Sequence, residues 1–254
     1  MAYYRCFILL CLANMVACRP GASQTGAPFV ANPQPVEGRL IRTLAIGAPA
    51  PDFRLPGVDG NFYTLDDFRS ARVLVIVFTC NHCPTAQAYE ERIMAIAAEY
   101  QDKGVALVAI SPNSPLGLLH EELGYSDLND DYEAMKLRAA HRKFNFPYLY
   151  DGDTHGASMQ YGPMATPHVF VFDAERKLRY TGRIDKSENP QKGHAEDVRG
   201  AIDAVLGGTG IAEPVTETFG CSSKWAWKSE LKDKVNKEWA EKPVSLSQLD
   251  VAGV

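Results

Sequence analysis

VLVIVFTCNHCPTAQAYEERIMAIAAEY, residues 73–100, is the stretch on which the reading of this chain turns. A β-branched apolar run gives way to a helical pattern, and two cysteines, Cys80 and Cys83, stand three apart at the junction. The run over residues 73–79 is the pattern of a strand buried on both faces. Tyr89, Ile93, Ile96 and Tyr100 recur at helical spacing, so residues 84–101 form an amphipathic helix that Lys103-Gly104 closes. VALVAI, residues 105–110, is a second buried strand. A strand, helix and strand in that order make a parallel pair with a right-handed crossover.

Working outward, residues 50–68 carry short alternating segments around VDGN and form a small hairpin ahead of the main sheet. Residues 130–144 are expected as a helix with Asp130 or Asp131 near its N-cap. HVFVFD (168–173) and KLRYTGRID (177–185) are antiparallel strands joined by AER, and HAEDVRGAIDAVLGG (194–208) is a closing helix with a Gly-Gly stop. The fold class is therefore α/β, a mixed central sheet with helices on both faces, spanning residues 46–207. The tail, 208–254, is loop-like through TGIAEPVTETFGCSSK and then helical. Trp227, Leu231, Val235 and Trp239 form one stripe there that is expected to dock on the domain. Ser247 and Asp250 stand at capping-box spacing, as if a further helix begins.

With 254 residues, a net charge of −5 and no Lys/Arg block, nucleic acid is excluded as the main partner. Residues 1–18 read as a targeting segment, with Arg5 before the apolar run CFILLCLANMVAC. Its end, MVAC, resembles a bacterial lipoprotein signal in which Cys18 becomes the lipidated N-terminus. An ordinary secretory peptide cleaved near Ala17 or Ala22 is the alternative. Both place the protein in the cell envelope or periplasm, an oxidising compartment. Residues 19–45, rich in Pro, Gly and Ala, read as a flexible tether. Cys6 and Cys11 leave with the signal, so Cys80, Cys83 and Cys221 remain for chemistry.

C-x-x-C at a strand–helix junction admits three readings: a redox pair, half a metal site, or two structural thiols. A zinc site needs further ligands, and the chain has no second C-x-x-C or H-x-x-x-H. Backbone N–H groups and the dipole at a helix start stabilise a thiolate, so Cys80 is expected as the low-pKa nucleophile, tuned by His82. Cys83, one turn on, is expected to titrate higher and to resolve the mixed disulfide. Two thiols complete that cycle, which leaves Cys221 an accessory thiol and dispensable.

GAPAPDFRLPGVDGNFYTLDDF, VLVIVFTCNHCP, VALVAISPN, FNFPYLYD and ATPHVFVFDAERKLRYTGRID together resemble the redoxin branch of the thioredoxin superfamily. The likeness is to peroxiredoxin-like proteins of the alkyl hydroperoxide reductase/thiol-specific antioxidant type that carry C-x-x-C. The resemblance implies the thioredoxin fold and disulfide exchange at Cys80 and Cys83 with protein thiols, with no cofactor beyond the redox-active disulfide. It also implies a cis bond at Pro167, with Thr166 offering its backbone to a bound partner. Thr79 stands where thioredoxins have tryptophan. The Pro and Thr of the peroxiredoxin motif fall at Ile76 and Cys80 counted from Cys83, or at Val73 and Val77 counted from Cys80. The arginine of the peroxiredoxin strand falls at Pro167. These departures rank a dithiol–disulfide exchanger above a thiol peroxidase. A Cu(I) chaperone using Cys80, Cys83 and His168 is the reading from another class.

Overall fold

β3 (Val73–Phe78) is the middle of the sheet, and its six residues are all buried, because their side chains face packed layers on both sides. It was located in a computed structural model that describes residues 41–119, 122–123 and 128–243. In chain order the elements are β1 (Arg54–Pro56), β2 (Phe62–Thr64), β3, α1 (Pro84–Tyr100), β4 (Val105–Ser111), α2 (Tyr132–Arg142) and β5 (Tyr148–Tyr150). There follow α3 (Ser158–Tyr161), β6 (Ala165–Thr166), β7 (His168–Phe172), β8 (Leu178–Gly182), α4 (Glu196–Leu206), β9 (Cys221–Ser222) and α5 (Ser229–Ala240). The main sheet runs β5-β4-β3-β7-β8; β3, β4 and β5 are parallel, and β7 and β8 return antiparallel. β1 and β2 form the separate N-terminal hairpin.

Alternate residues of β3 feed two cores. Val73, Val75 and Val77 pack with Tyr89, Ile93, Ile96 and Tyr100 of α1 and with Val198 and Ile202 of α4. Leu74, Ile76 and Phe78 pack with Phe53, Leu55, Tyr161, Phe170 and Phe172. Each such side chain contributes about 1.5–3 kcal/mol on burial. The long helices α1, α2 and α4 all pack on the first core. The second face is covered by the β1 hairpin region, Phe68 and the single turn of α3, so helices cover the two faces unequally.

Two features of the tail depart from expectation. Its residues 214–226 are not a free loop: Thr216 accepts the Arg183 N–H and bonds Tyr180, Ser114 N–H donates to the Lys224 carbonyl, and Ala226 N–H donates to His155. The Trp stripe docks at its start and is open at its far end. Trp225 and Trp227 stack on each other beside His155 before that helix begins, whereas Trp239 is 64% exposed. Cys18, residues 19–40 of the tether and the Ser247–Asp250 capping pattern lie outside the described residues, whereas the end of the tether is held, the Leu44 N–H donating to the Tyr161 carbonyl and Thr43 Oγ1 to that of Gly162.

A buried ion pair ties α1 to the segment after β8. Arg92 reaches both Asp185 oxygens at 2.9 and 2.8 Å, and Tyr89 Oη and the Ser187 and Ala195 N–H groups donate to the same carboxylate. Removing one partner of such a pair strands the other charge. Asp185→Ala is therefore expected to cost about 3–5 kcal/mol of unfolding free energy in urea melts, against under about 1 kcal/mol were the pair behaving as a surface bridge.

Candidate active site

The loop from Thr79 to Cys83 is held from below by one carboxylate. Asp130 Oδ1 accepts the N–H groups of Asn81 (2.9 Å) and His82 (3.0 Å). Its Oδ2 lies 2.5 Å from His82 Nδ1 and accepts from Asn113 Nδ2 at 2.7 Å. Asn81 Nδ2 donates to the Asn129 carbonyl, and Gln87 Nε2 donates to that of Asn81. Asp130 is fully buried and is not a helix cap; Asp131 caps α2 by accepting the Ala134 N–H. No spacing pattern in the sequence pointed to Asp130 as part of the site.

Asp130 engages the Asn81 and His82 N–H groups, and α1 starts at the residue the sequence pattern gives. Pro84 is its first residue and Cys83, not Cys80, is its N-cap, with Sγ accepting the Ala86 N–H at 3.5 Å. The sequence expectation sets the helix-start N–H groups against Cys80; the N-cap position is that of Cys83. The Cys83 sulfur also receives the Cys221 N–H at 3.3 Å and the thiols of Cys221 and Cys80. One acceptor opposes these four donors, the Thr166 carbonyl at 3.2 Å, to which the protonated thiol donates. The donors prevail and hold the Cys83 pKa well below that of an ordinary thiol, the Cys221 thiol contributing most. Cys80 moves the other way: burial, its hydrogen bond to Cys83 and the Asp130 charge push it well up. The Cys80 Sγ lies 3.1 Å from Thr166 Oγ1 and 3.5 Å from His82 Nδ1. Cys221 is pushed up too, chiefly by donating to Cys83. All three cysteines are free thiols.

The Thr166–Pro167 bond is cis and faces the cysteines, with Thr166 touching both sulfurs. The free edge at Thr166 is taken by the chain itself: β9 pairs antiparallel with β6, Thr166 opposite Cys221 and Ala165 opposite Ser222. Sequence reasoning offered Cys221 as an accessory thiol without placing it against Cys83. The odd cysteine and the FGC tripeptide were the available signals. His168, offered as a copper ligand, is committed elsewhere. Its Nδ1 accepts the Met164 N–H at 3.1 Å, its Nε2 pairs with Thr181 Oγ1 at 2.9 Å, and burial lowers its pKa to about 3. With both nitrogens engaged it cannot complete a Cys80/Cys83 copper site. The metal-like grouping among the described residues is instead Cys80, His82 and Asp130, whose ligand atoms lie within 4.8 Å of one another. Asp130 there already serves four donors.

The AhpC/TSA family profile matches residues 46–181. Alkyl hydroperoxide reductase E of Mycobacterium tuberculosis is 28% identical over 170 residues, covering 64% of this chain and 96% of that protein. Among solved structures, a hypothetical protein of Sinorhizobium meliloti aligns with a TM-score of 0.64 and 31% identity over 72% of this chain and 96% of its own. An uncharacterised protein of Geobacillus kaustophilus aligns at 0.63 and 35%, over 71% and 92%.

The thiolate assignment has a stability signature. Cys83 binds its proton less tightly folded than unfolded, so between its folded pKa and the unfolded value of about 8.5 the unfolded state carries the extra proton and stability rises with pH. Cys80 and Cys221, shifted upward, act only above that window. Reduced protein is expected to gain stability from pH 6 to 8 at a slope up to about 1.4 kcal/mol per pH unit that Cys83→Ser lacks. Equal slopes in urea melts of the two would place the thiolate elsewhere.

Proposed function

Because the chain belongs to the AhpC/TSA family of thioredoxin-fold redoxins, we propose that it is an exported thiol–disulfide oxidoreductase working through Cys80 and Cys83. The observation that carries this is a buried C-x-x-C pair facing a cis-proline, in which Cys83 receives the N–H groups of Ala86 and Cys221, surroundings that lower its pKa while those of Cys80 raise its own. Cys83 is the attacking sulfur, because the low-pKa member is the nucleophile at neutral pH. Its thiolate attacks one sulfur of a client disulfide and expels the other as a thiolate. Cys80 then attacks Cys83, releasing the client as a dithiol and leaving Cys80–Cys83 oxidised; the reverse sequence oxidises a client. The Cys80 proton passes to the client thiolate expelled in the first step, and the His82 imidazole, held by Asp130, lies 3.5 Å from Cys80 Sγ along that transfer. Thr166 and cis-Pro167 form the docking edge, from which a client displaces residues 221–222.

A peroxidase reading is favoured by one observation, that the thiolate is on the second cysteine at a helix N-cap. Cys83 would attack the O–O bond of a hydroperoxide to give a sulfenic acid and an alcohol, and Cys80 would condense with it, releasing water. The likeness to alkyl hydroperoxide reductase E points the same way.

In a Cys221→Ser background, Cys80→Ser is expected to trap mixed disulfides with a disulfide-bearing client through Cys83, at a yield roughly tenfold above Cys83→Ser. Trapping through Cys80 in the Cys83→Ser protein would reverse the roles. Hydroperoxide consumed faster than client disulfide under the same reductant would move the activity to the peroxidase.

Export rests on residues 1–18, with Cys18 as lipid anchor. Full-length protein is expected in the membrane fraction and Cys18→Ser in the soluble one. An intact Met1 on the mature chain would refute both.

A further inference from the structure

The two cysteines of the C-x-x-C are nearly sealed, Cys80 at 3% and Cys83 at 0% exposure, and the residue lying against Cys83 is the half-exposed Cys221. We propose that Cys221 is a third redox thiol, a shuttle that carries the disulfide from the buried pair to thiols outside. The proposal rests on the Cys80/Cys83 reading and adds the route by which the pair is served.

The segment around Cys221 is built to hold that sulfur in place. Its N–H donates to Cys83 Sγ at 3.3 Å, its carbonyl accepts from Thr166 Oγ1 at 3.4 Å, and its thiol donates to the Cys83 sulfur. Gly220 has φ +127°, and a Cβ there would lie 2.2 Å from the Thr166 carbonyl oxygen, so only glycine brings the strap this close. Upstream, Phe219 packs on Tyr89. Downstream, Ser223 Oγ donates to the Pro163 carbonyl, Lys224 N–H donates to Asn113 Oδ1, and the Lys224 ammonium pairs with Glu122. Asn113 also donates to Asp130, so one side chain joins the strap to the C-x-x-C loop. On the Ser222 side lies a cavity of about 190 Å³ bordered by Glu122, Lys224 and Lys228. Two cations against one anion favour an approaching thiolate.

The chemistry balances without any group beyond the three thiols and an external dithiol. When Cys80–Cys83 is oxidised, the Cys83 thiolate is gone, and with it the main cause that keeps Cys221 protonated. Cys221 loses its proton and attacks Cys83 Sγ; the Cys83–Cys221 bond forms, the Cys80–Cys83 bond breaks, and Cys80 leaves and takes up a proton beside His82. One thiolate of the external dithiol then attacks Cys221 Sγ. Cys83 leaves as the stabilised thiolate, a good leaving group for its low pKa. The second external thiol attacks the first, frees Cys221 and departs as a disulfide. Two electrons have passed inward.

Peptide mapping of the full chain under non-reducing conditions tests this. After mild oxidation with diamide, Cys80→Ser is expected to carry a Cys83–Cys221 disulfide in most molecules. In Cys221→Ser the Cys80–Cys83 disulfide forms, but its reduction by a protein dithiol such as thioredoxin slows roughly tenfold or more. Gly220→Ala, which keeps all three cysteines but lifts the strap and Cys221 with it, is expected to slow it likewise. Absence of the Cys83–Cys221 bridge in a Cys80→Ser protein of native circular dichroism overturns the shuttle. So does reduction of Cys221→Ser at the wild-type rate. Failure of Cys80–Cys83 to form in Cys221→Ser would instead overturn the underlying pair.

Discussion

A buried carboxylate with four donors organises this molecule's chemistry. Asp130 is out of contact with water, and a charge in that position is tolerable only when its lone pairs are matched. Two of the four donors are the backbone N–H groups of the residues between the cysteines, a third is the imidazole between them, and the fourth is Asn113. The matching has a geometric result. N–H groups turned toward Asp130 are not free for Cys80, and the first free N–H of α1 that meets a sulfur, that of Ala86, goes to Cys83. The same negative charge raises Cys80. Asp130 thus biases the pair from both ends.

How much of this the sequence disclosed follows the range of the interactions involved. β3, α1 and β4 were legible because a six-residue β-branched run and a helical repeat are local patterns, and burial on both faces leaves no polar alternation to confuse them. The cysteine spacing and the Thr-Pro ahead of β7 were legible for the same reason. Asp130 was not: it meets His82 across 48 residues, and the local pattern offers it only as an alternative to Asp131 for the cap of α2, a place that Asp131 takes. Cys221 meets Cys83 across 138 residues, through a segment whose Pro, Gly and Thr content resembles any loop. The start of α1 at residue 84 was legible as well, but which cysteine caps it was not, because that depends on where the flanking N–H groups find partners. His168 misled in the opposite sense: a histidine near the motif in space is bound instead by Met164 and Thr181.

Three sulfurs in one poorly hydrated pocket cannot all ionise, since each thiolate added repels the first and is costly to desolvate. The pocket meets this by holding one negative charge among the three, with the other two thiols donating to it. The acid–base state of each sulfur is thereby a property of the group. Oxidation of any pair changes the third, which makes local redox state and local nucleophilicity a single variable.

The returning tail also matters to the sheet as an object. β8 and β5 are its outer strands, and an open outer strand is a row of unpaired amides that a second polypeptide can extend. Neither row is left bare. Val215 lies parallel to Thr181 on β8, where the Thr181 N–H donates to the Pro214 carbonyl and the Thr216 N–H donates to that of Thr181. Gly57 bridges Leu149 on β5, where the Val58 N–H donates to the Tyr148 carbonyl. Gly182, at φ +150°, has no Cβ to keep Thr216 away. The chain's own flanking segments therefore act as stoppers at both borders. A homologue trimmed at the end of α4 would keep its core yet present one adhesive border to its neighbours, trading solubility for brevity.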